Sequence, residues 1–411
     1  MTMANVGIRF GLLLILAGTL LAVPALVFVG LLALLAASLT GLWSRLGLRG
    51  VTYERQLARD RTVWGEDVPI EIGVRNDKFL PVPWLSVDDT TSSNVVIRET
   101  PIIRTEKRHY GILRSHWTVA WYERVVRRFT LVADRRGAYS FGPVRLTVAD
   151  LFGYGLVSED RQDSATCIVR PRTLPVRLAS RQQIPTGILR TRASLFEDPA
   201  LFAGVRPYRP GDPIKRIHWR ATIRTGQPVS KRFDPSRVDN VLLALDVQTG
   251  AGPIWAPDEE LVETLIVAAS SLARQALLDG AACGIATMAL SRTMNAFALL
   301  APRTGRDQLG AIADLLGRLE PAPAAPFENL LVRLPQRITP GTTITVVTGR
   351  TPEAYAEALL RLHRLAYPVQ VVALGPNARP AVSRARSLGF TAMTGSISPD
   401  WRTSDALVLA S

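Results

Sequence analysis

The chain has 411 residues, enough for roughly two to three domains with sizeable cores. At 47% hydrophobic and 20% charged, with 30 Gly and 28 Pro, it is neither a disordered nor a fibrous protein. Lys and Arg outnumber Asp and Glu by 49 to 35, a net charge of +14 that favours anionic surroundings: lipid headgroups, nucleic acid or an acidic protein surface. Its two cysteines, Cys167 and Cys283, form no CxxC and no Cys/His cluster, which argues against a disulfide scaffold and a structural zinc site.

No charged residue occurs from Phe10 to Leu42. A continuous helix of that length would reach roughly 50 Å, well beyond a hydrocarbon core of about 30 Å. Pro24 lies near the middle, with Arg9 before the run and Arg45 and Arg49 after it. This pattern predicts a transmembrane helical hairpin over 1–49, broken near 22–25, with both ends cytoplasmic. A single tilted or kinked span is the alternative. A cleaved signal peptide fits less well, because the apolar run continues through Leu31, Leu32, Leu34 and Leu35.

Short alternating runs follow: Ile70, Ile72 and Val74; Phe129, Leu131 and Ala133; Val144, Leu146 and Val148. Their period of two, with turn signals at Asn76-Asp77, Arg136-Gly137 and Phe141-Gly142-Pro143, predicts an antiparallel β-sandwich over 50–178. The stretch from Ser92 to Trp121 has no clear assignment.

From Val241 strands alternate with helices. Val241 to Leu245 is an apolar strand ending at Asp246, and a helix follows with Leu261, Leu265, Ala269, Leu272 and Ala276 on one face before Gly280. Residues 282–290 read as a strand, 307–319 as a helix, 343–347 as a strand, 351 onward as a helix opened by Pro352, and 369–374 as a strand. The alternation predicts an α/β, doubly wound parallel sheet over 241–411, with ligands expected at the carboxyl ends of its strands, where Asp246 lies. The Pro/Ala-rich run 321–326 is a loop within it.

Between the two lies a basic, Pro/Gly-punctuated segment, 179–240. Pro210-Gly211 makes a tight structural turn, Asp212 can cap a helix and Pro213 suits its first position, so a short helix is expected next. Arg206, Tyr208, Asp212, Lys215, Arg216, Trp219, Arg220 and Arg224 are the candidate partner- or anion-binding residues. A solvated basic face, or a turn in which Asp212 pairs with an Arg, is the plainer alternative. If Trp219 packs this segment onto the α/β sheet, Trp219→Ala should cost about 3–5 kcal/mol.

The run R-x-Y-x-x-G-D-x-x-x-x-I-x-W-R-A-T-x-R, occupied by Arg206, Tyr208, Gly211, Asp212, Ile217, Trp219, Arg220, Ala221, Thr222 and Arg224, resembles the signature of the domain of unknown function 58 family. Upstream, Arg135-Arg136-Gly137 with Tyr139, Gly142-Pro143 and Asp150-Leu-Phe152-Gly153 is similar to the family's preceding segment. His218 stands where the family commonly has an acidic residue. The resemblance implies a bacterial inner-membrane protein, its bulk cytoplasmic, with a von Willebrand factor A-like domain and an association with MoxR-type AAA+ ATPases. The implied role is a non-enzymatic scaffold or adaptor in assembling or remodelling protein or cell-envelope complexes, the partner supplying nucleotide hydrolysis.

Many A-type domains hold Mg²⁺ through D-x-S-x-S, because a hard cation wants several oxygens on one turn. Here the run is Asp246-Val-Gln248-Thr-Gly250, both serines are replaced, and the later strand end reads Thr348-Gly349-Arg350 without an Asp. The site is degenerate, and neither Mg²⁺ nor another cofactor is expected. Gln248, Thr249 and Thr348 are the oxygens that could substitute.

No P-loop, G-x-S-x-G or H-E-x-x-H motif is present, so catalysis has no positive signal. Trp117, Trp121, Tyr122, Arg124, Arg127 and Arg128 interleave aromatics with bases as single-strand platforms do. A sandwich strand would put Trp121 and the arginines on alternate faces, and a domain beside anionic lipid uses basic residues without nucleic acid; nucleic acid is not expected as a partner. The competing function is a sensor for an anionic ligand at 206–224, whether lipid, cell-wall precursor or phosphate compound. A hydrolase hidden in the α/β domain is a third class.

Overall fold

A computed structural model describes residues 3–106, 110–149, 156–179, 197–208, 217–235, 239–249, 257–291, 294–398 and 400–411. The chain divides into two units, Met1–Arg170 and Pro171–Ser411.

The first unit opens with helices α1 (Met3–Leu20) and α2 (Pro24–Leu46). The break falls at the expected place: Ala22 takes a positive φ of 51° and Pro24 occupies the first turn of α2. At 18 and 23 residues, each helix continues past the charge-free run, α1 through Arg9 and α2 through Arg45. They pack backbone to backbone; a Cβ at Gly30 would lie 2.9 Å from both Gly11 O and Ile15 N, so only glycine permits this approach. Their outer surface is apolar, with Leu13, Leu16, Leu20, Phe28 and Leu35 all exposed. Pro24–Trp43 is long and apolar enough to cross a bilayer. Glu259–Leu278 passes the same test but is mostly buried in the second unit, as a core helix is.

Next come β1 (Val51–Leu57), β2 (Arg61–Val63), β3 (Val68–Asn76), β4 (Val82–Ser92), β5 (Ile103–Arg104), β6 (Tyr110–Val119), β7 (Arg124–Leu131), β8 (Gly137–Ala149), β9 (Leu156–Arg161) and β10 (Ala165–Arg170). One sheet has the order β1-β3-β7, the other β2-β10-β8-β4-β6-β5 with β9 paired to β8. Alternation drives the packing: Val68, Ile70, Ile72 and Val74 of β3 and Val144 and Leu146 of β8 are fully buried in one core.

Three expectations change. The sheets are not wholly antiparallel, since β2 and β10 run parallel. Phe141-Gly142-Pro143 is not a turn but lies inside the 13-residue β8, with a cis Gly142–Pro143 bond. Gly142 is required there: φ is +92° and an added Cβ would sit 1.8 Å from Asp163 O. Thirdly, Trp121 is on no strand; β6 ends at Val119 and the residue sits on the turn to β7. The unassigned stretch after Ser92 holds β5 and β6, whose Trp117 is buried and donates its Nε1–H to Ser115 Oγ at 2.8 Å.

A buried ion pair fastens the two sheets. Asp89 on β4 accepts from Arg55 Nη1 and Tyr53 Oη of β1 and from the Gly142 backbone N–H of β8. Both charged side chains are fully enclosed. Arg55 also donates to Asp163 O at 3.2 Å.

The second unit begins within the region expected to close the sandwich. Strand β11 (Val176–Leu178) pairs with the last strand of the α/β sheet, so the sandwich ends at Arg170 rather than 178. The described parts of the basic segment include a two-stranded ribbon: β12 (Glu197–Pro207) runs antiparallel to β13 (Val229–Pro235), with α3 (Trp219–Thr225) between them in sequence. Then follow β14 (Asn240–Leu245), α4 (Glu259–Leu278), β15 (Ala282–Thr287), β16 (Ala298–Arg303), α5 (Arg306–Arg318), α6 (Phe327–Arg333), β17 (Thr343–Thr348), α7 (Ala356–Arg364), β18 (Val369–Ala373), α8 (Ala378–Ser387), β19 (Thr391–Ser396) and β20 (Leu407–Ala410).

The sheet order is β11-β20-β19-β18-β17-β14-β15-β16. Its centre, β15-β14-β17-β18-β19, is parallel as expected; β16 and β20 join it antiparallel. Two cores flank it. Val241, Leu243 and Leu245 point to the face covered by α4 and α5, Leu242 and Ala244 to that of α6, α7 and α8. The five apolar positions read from the α4 sequence are all buried.

Candidate functional site

Two places answer the sequence candidates. One is the ribbon that carries the signature. The other is the carboxyl edge of the parallel sheet at Asp246.

In the ribbon, Arg206 on β12 faces Ser230 of β13 in register, and its Nη1 donates to Pro207 O at 3.2 Å. Tyr208 N donates to Pro228 O at 3.0 Å, and His218 N to Val229 O at 2.8 Å, so the end of β12 and the start of α3 are tied to β13 and the residue before it. The short helix expected from the sequence is α3. His218 is its N-cap, Nδ1 accepting from Ala221 N at 3.1 Å, and Gly226 closes it in the left-handed conformation. An acidic side chain at this position could accept the same hydrogen bond, which gives the His218 departure a physical sense.

Helical spacing aligns Trp219 with Ile223 and Arg220 with Arg224. Trp219 is 62% exposed and Ile223 83% exposed, so Trp219 does not pack the segment onto the sheet. Its apolar ring instead enlarges an outward face. Gly211, Asp212, Lys215 and Arg216 lie outside the described residues, as does Gly250.

At the sheet edge Asp246 is fully buried. Its Oδ1 accepts from Gln248 N at 2.9 Å; its Oδ2 accepts from Thr348 Oγ1 and from Arg350 Nε, each at 2.9 Å. The Arg350 guanidinium lies over the Tyr355 ring at 5.6 Å and 3.7 Å from Glu328 Oε1. Gln248 Oε1 accepts from Phe327 N at 3.0 Å. Burial pushes the Asp246 carboxyl above the ordinary carboxylate value, opposed by Arg350, the Gln248 amide and the Thr348 hydroxyl.

This donor set does not fit a divalent cation. The two carboxylate oxygens already accept three hydrogen bonds, the Gln248 oxygen is turned to a backbone amide, and a guanidinium supplies the positive charge a metal would bring. Thr348, named from the sequence as a substitute oxygen, donates to Asp246 instead. Arg350 is the residue that sequence reasoning missed. It was visible only as the absence of an Asp, and nothing in the spacing indicated that its side chain folds back on Asp246. Among the described residues no three His, Cys, Asp or Glu side chains converge into a metal-binding group.

Residues 204–372 match the family model described as protein of unknown function DUF58. An uncharacterized Bacillus subtilis protein, YeaD, is 21% identical over 268 residues, covering 64% of this chain. The match spans 60% of that relative's length. Among solved structures, a CARDB domain from Pyrococcus furiosus is 18% identical and covers 27% of this chain and 90% of its own, with a TM-score of 0.17. A cohesin module from Clostridium perfringens is 10% identical, covering 29% and 96%, at a TM-score of 0.21. Likenesses of that size carry no functional argument. The segment that holds the ribbon's helix, Asp246 and Arg350 lies within residues 204–372, where the chain matches the DUF58 family model.

Proposed function

We propose that the protein is a membrane-anchored, non-enzymatic scaffold or adaptor whose working surface is the signature ribbon. One observation carries the reading: α3 holds Trp219 and Ile223 in water, flanked by Arg220 and Arg224, within the family segment. An apolar pair at i and i+4, with Trp and Arg together, has the composition of a protein-binding hot spot. Closure of the Asp246 centre by Arg350 supports the same reading, since it leaves the usual ligand position of an α/β sheet filled by protein.

The outward apolar surface of α1 and α2, with basic residues on both flanks, supports a bilayer anchor in the inner membrane and a cytoplasmic remainder. A von Willebrand factor A-like assignment for the second unit is supported by the parallel centre, the antiparallel edge strand β16 and Asp246 at the end of β14. The partner we propose is a MoxR-type AAA+ ATPase, which supplies the energy for remodelling. A sensor for an anionic ligand is the competing reading, favoured by the exposed Arg220 and Arg224.

Mild-detergent co-purification of the tagged full-length protein from its own cell, beside Trp219→Ser/Ile223→Ser and Arg220→Ala variants, tests this. The adaptor reading expects an AAA+ ATPase that the double variant loses while its melting temperature is unchanged. Retention of the ATPase by both variants would move the contact elsewhere. Recovery of an anionic lipid or small molecule that Arg220→Ala loses, with no protein partner, would favour the sensor.

A further inference from the structure

The sandwich exposes a second aromatic group far from the signature. Phe79 is 75% exposed, Trp121 59% and Tyr122 68%. They sit on two loop tips, 77–81 between β3 and β4 and 120–123 between β6 and β7, and the Phe79 and Trp121 rings stack with centroids 6.0 Å apart.

These tips are rigidly held. Asn76, fully buried, donates from its side-chain amide to Leu80 O at 3.0 Å and to Ala120 O at 2.8 Å, tying both loops to one residue. Ala120 N donates to Glu123 Oε2 at 2.6 Å, and Tyr122 holds a positive φ of 52°. Tyr122 N donates to Lys78 O at 3.3 Å. Three large rings are thus held in solvent on hydrogen-bonded loop tips.

Their location is at the end of α2. Lys78 Nζ donates to Gly47 O at 2.9 Å, and Asp77 N to Gly50 O at 2.7 Å. Gly47 itself follows directly on the helix, whose apolar run ends at Trp43. The tips therefore lie beside the point where the chain leaves the hairpin, the depth at which Trp and Tyr favour the membrane–water boundary. Their charged neighbours are mixed: Arg49 is exposed, the acids Asp77 and Glu54 are paired with Arg75 and Arg124, and exposed Glu123 accepts from Ala120 N.

We propose that Phe79, Trp121 and Tyr122 form a second membrane contact, inserted at the headgroup level, which fixes the sandwich end-on to the bilayer. The proposal rests on the membrane-anchor reading of α1 and α2. It makes the first unit a rigid post rather than a domain swinging on a tether, because the contact and the helix exit grip the membrane on one face of the same unit.

The test uses full-length protein reconstituted in vesicles containing anionic phospholipid. Single cysteines are introduced by Phe79→Cys, Trp121→Cys, Glu66→Cys and Val29→Cys and labelled with an environment-sensitive fluorophore; the native Cys167 and Cys283 are fully buried. Glu66 precedes β3 and Asn76 ends it, so the control lies roughly 30 Å along the strand from the tips. Nitroxide lipids quench from a shallow or a deep acyl position. The proposal expects loss of emission at 79 and 121 with the shallow quencher, loss at 29 with the deep one, and none at 66. Quenching at 29 with none at 79 and 121 would overturn the second contact and leave the anchor standing. No quenching at 29 or at the tips would overturn both.

Discussion

Among the described residues each unit holds a buried aspartate paired with an arginine, and the two pairs do different things. Asp89 and Arg55 stand between the sheets of the sandwich, joined by Tyr53 and the Gly142 amide, and link β1, β4 and β8. Asp246 and Arg350 stand at the carboxyl edge of a parallel sheet, where α/β proteins commonly hold ligands. The first fastens one sheet of the sandwich to the other. The second occupies with protein a position that in α/β sheets commonly receives a ligand.

The largest effect is expected at the sandwich. Arg55→Ala leaves Asp89 buried with no cation and should cost about 3–5 kcal/mol in denaturant unfolding. A loss below about 1 kcal/mol would mean that Tyr53 and Gly142 alone satisfy the carboxylate. Arg350→Ala should follow at about 3 kcal/mol, since its side chain is 13% exposed and water can reach part of the gap. Arg350→Lys should recover little of this, because an ammonium cannot reproduce a guanidinium bonded to Asp246 and stacked on Tyr355. Equal stability of the lysine and arginine forms would reduce the pair to simple charge neutralisation.

Trp219→Ala, by contrast, should change stability by no more than about 0.5 kcal/mol, as an exposed side chain does. A loss of several kcal/mol would show that its ring is covered in solution. At neutral pH the smallest effect belongs to Cys283, whose thiol burial pushes up to about 12 from 9.0. The native state favours the protonated thiol, so this contribution is intact below the unfolded value and is lost as pH rises from 9.0 through about 12. The melting temperature of wild type should therefore fall relative to that of Cys283→Ala as pH climbs through that window. Parallel curves would remove the thiol from the account.

Much of this architecture was legible because it depends on periodicity. The charge-free run with its central proline indicated two helices, and the alternation of Ile70, Ile72 and Val74 and the strand–helix rhythm after Val241 pointed to the cores of both units. What escaped depends on distant partners. Val176–Leu178 reads like another sandwich strand until β20 claims it, and Gly142-Pro143 reads like a turn until it is found within β8. Trp219 looks like a core residue by type, and only its position on the outer side of α3 reveals otherwise. At the candidate site the sequence showed which oxygens were missing around Asp246. It did not show that Arg350, 104 residues on, occupies the carboxylate in their stead.

The most direct trial of that central contrast is a thermal denaturation of the detergent-solubilised full-length protein titrated with Mg²⁺ and Mn²⁺. With Arg350 seated on Asp246, the melting temperature should stay flat through millimolar concentrations of either ion. A saturable rise that disappears in Asp246→Ala would mean that the carboxylate releases its arginine for a metal, and would return the function to the cleft.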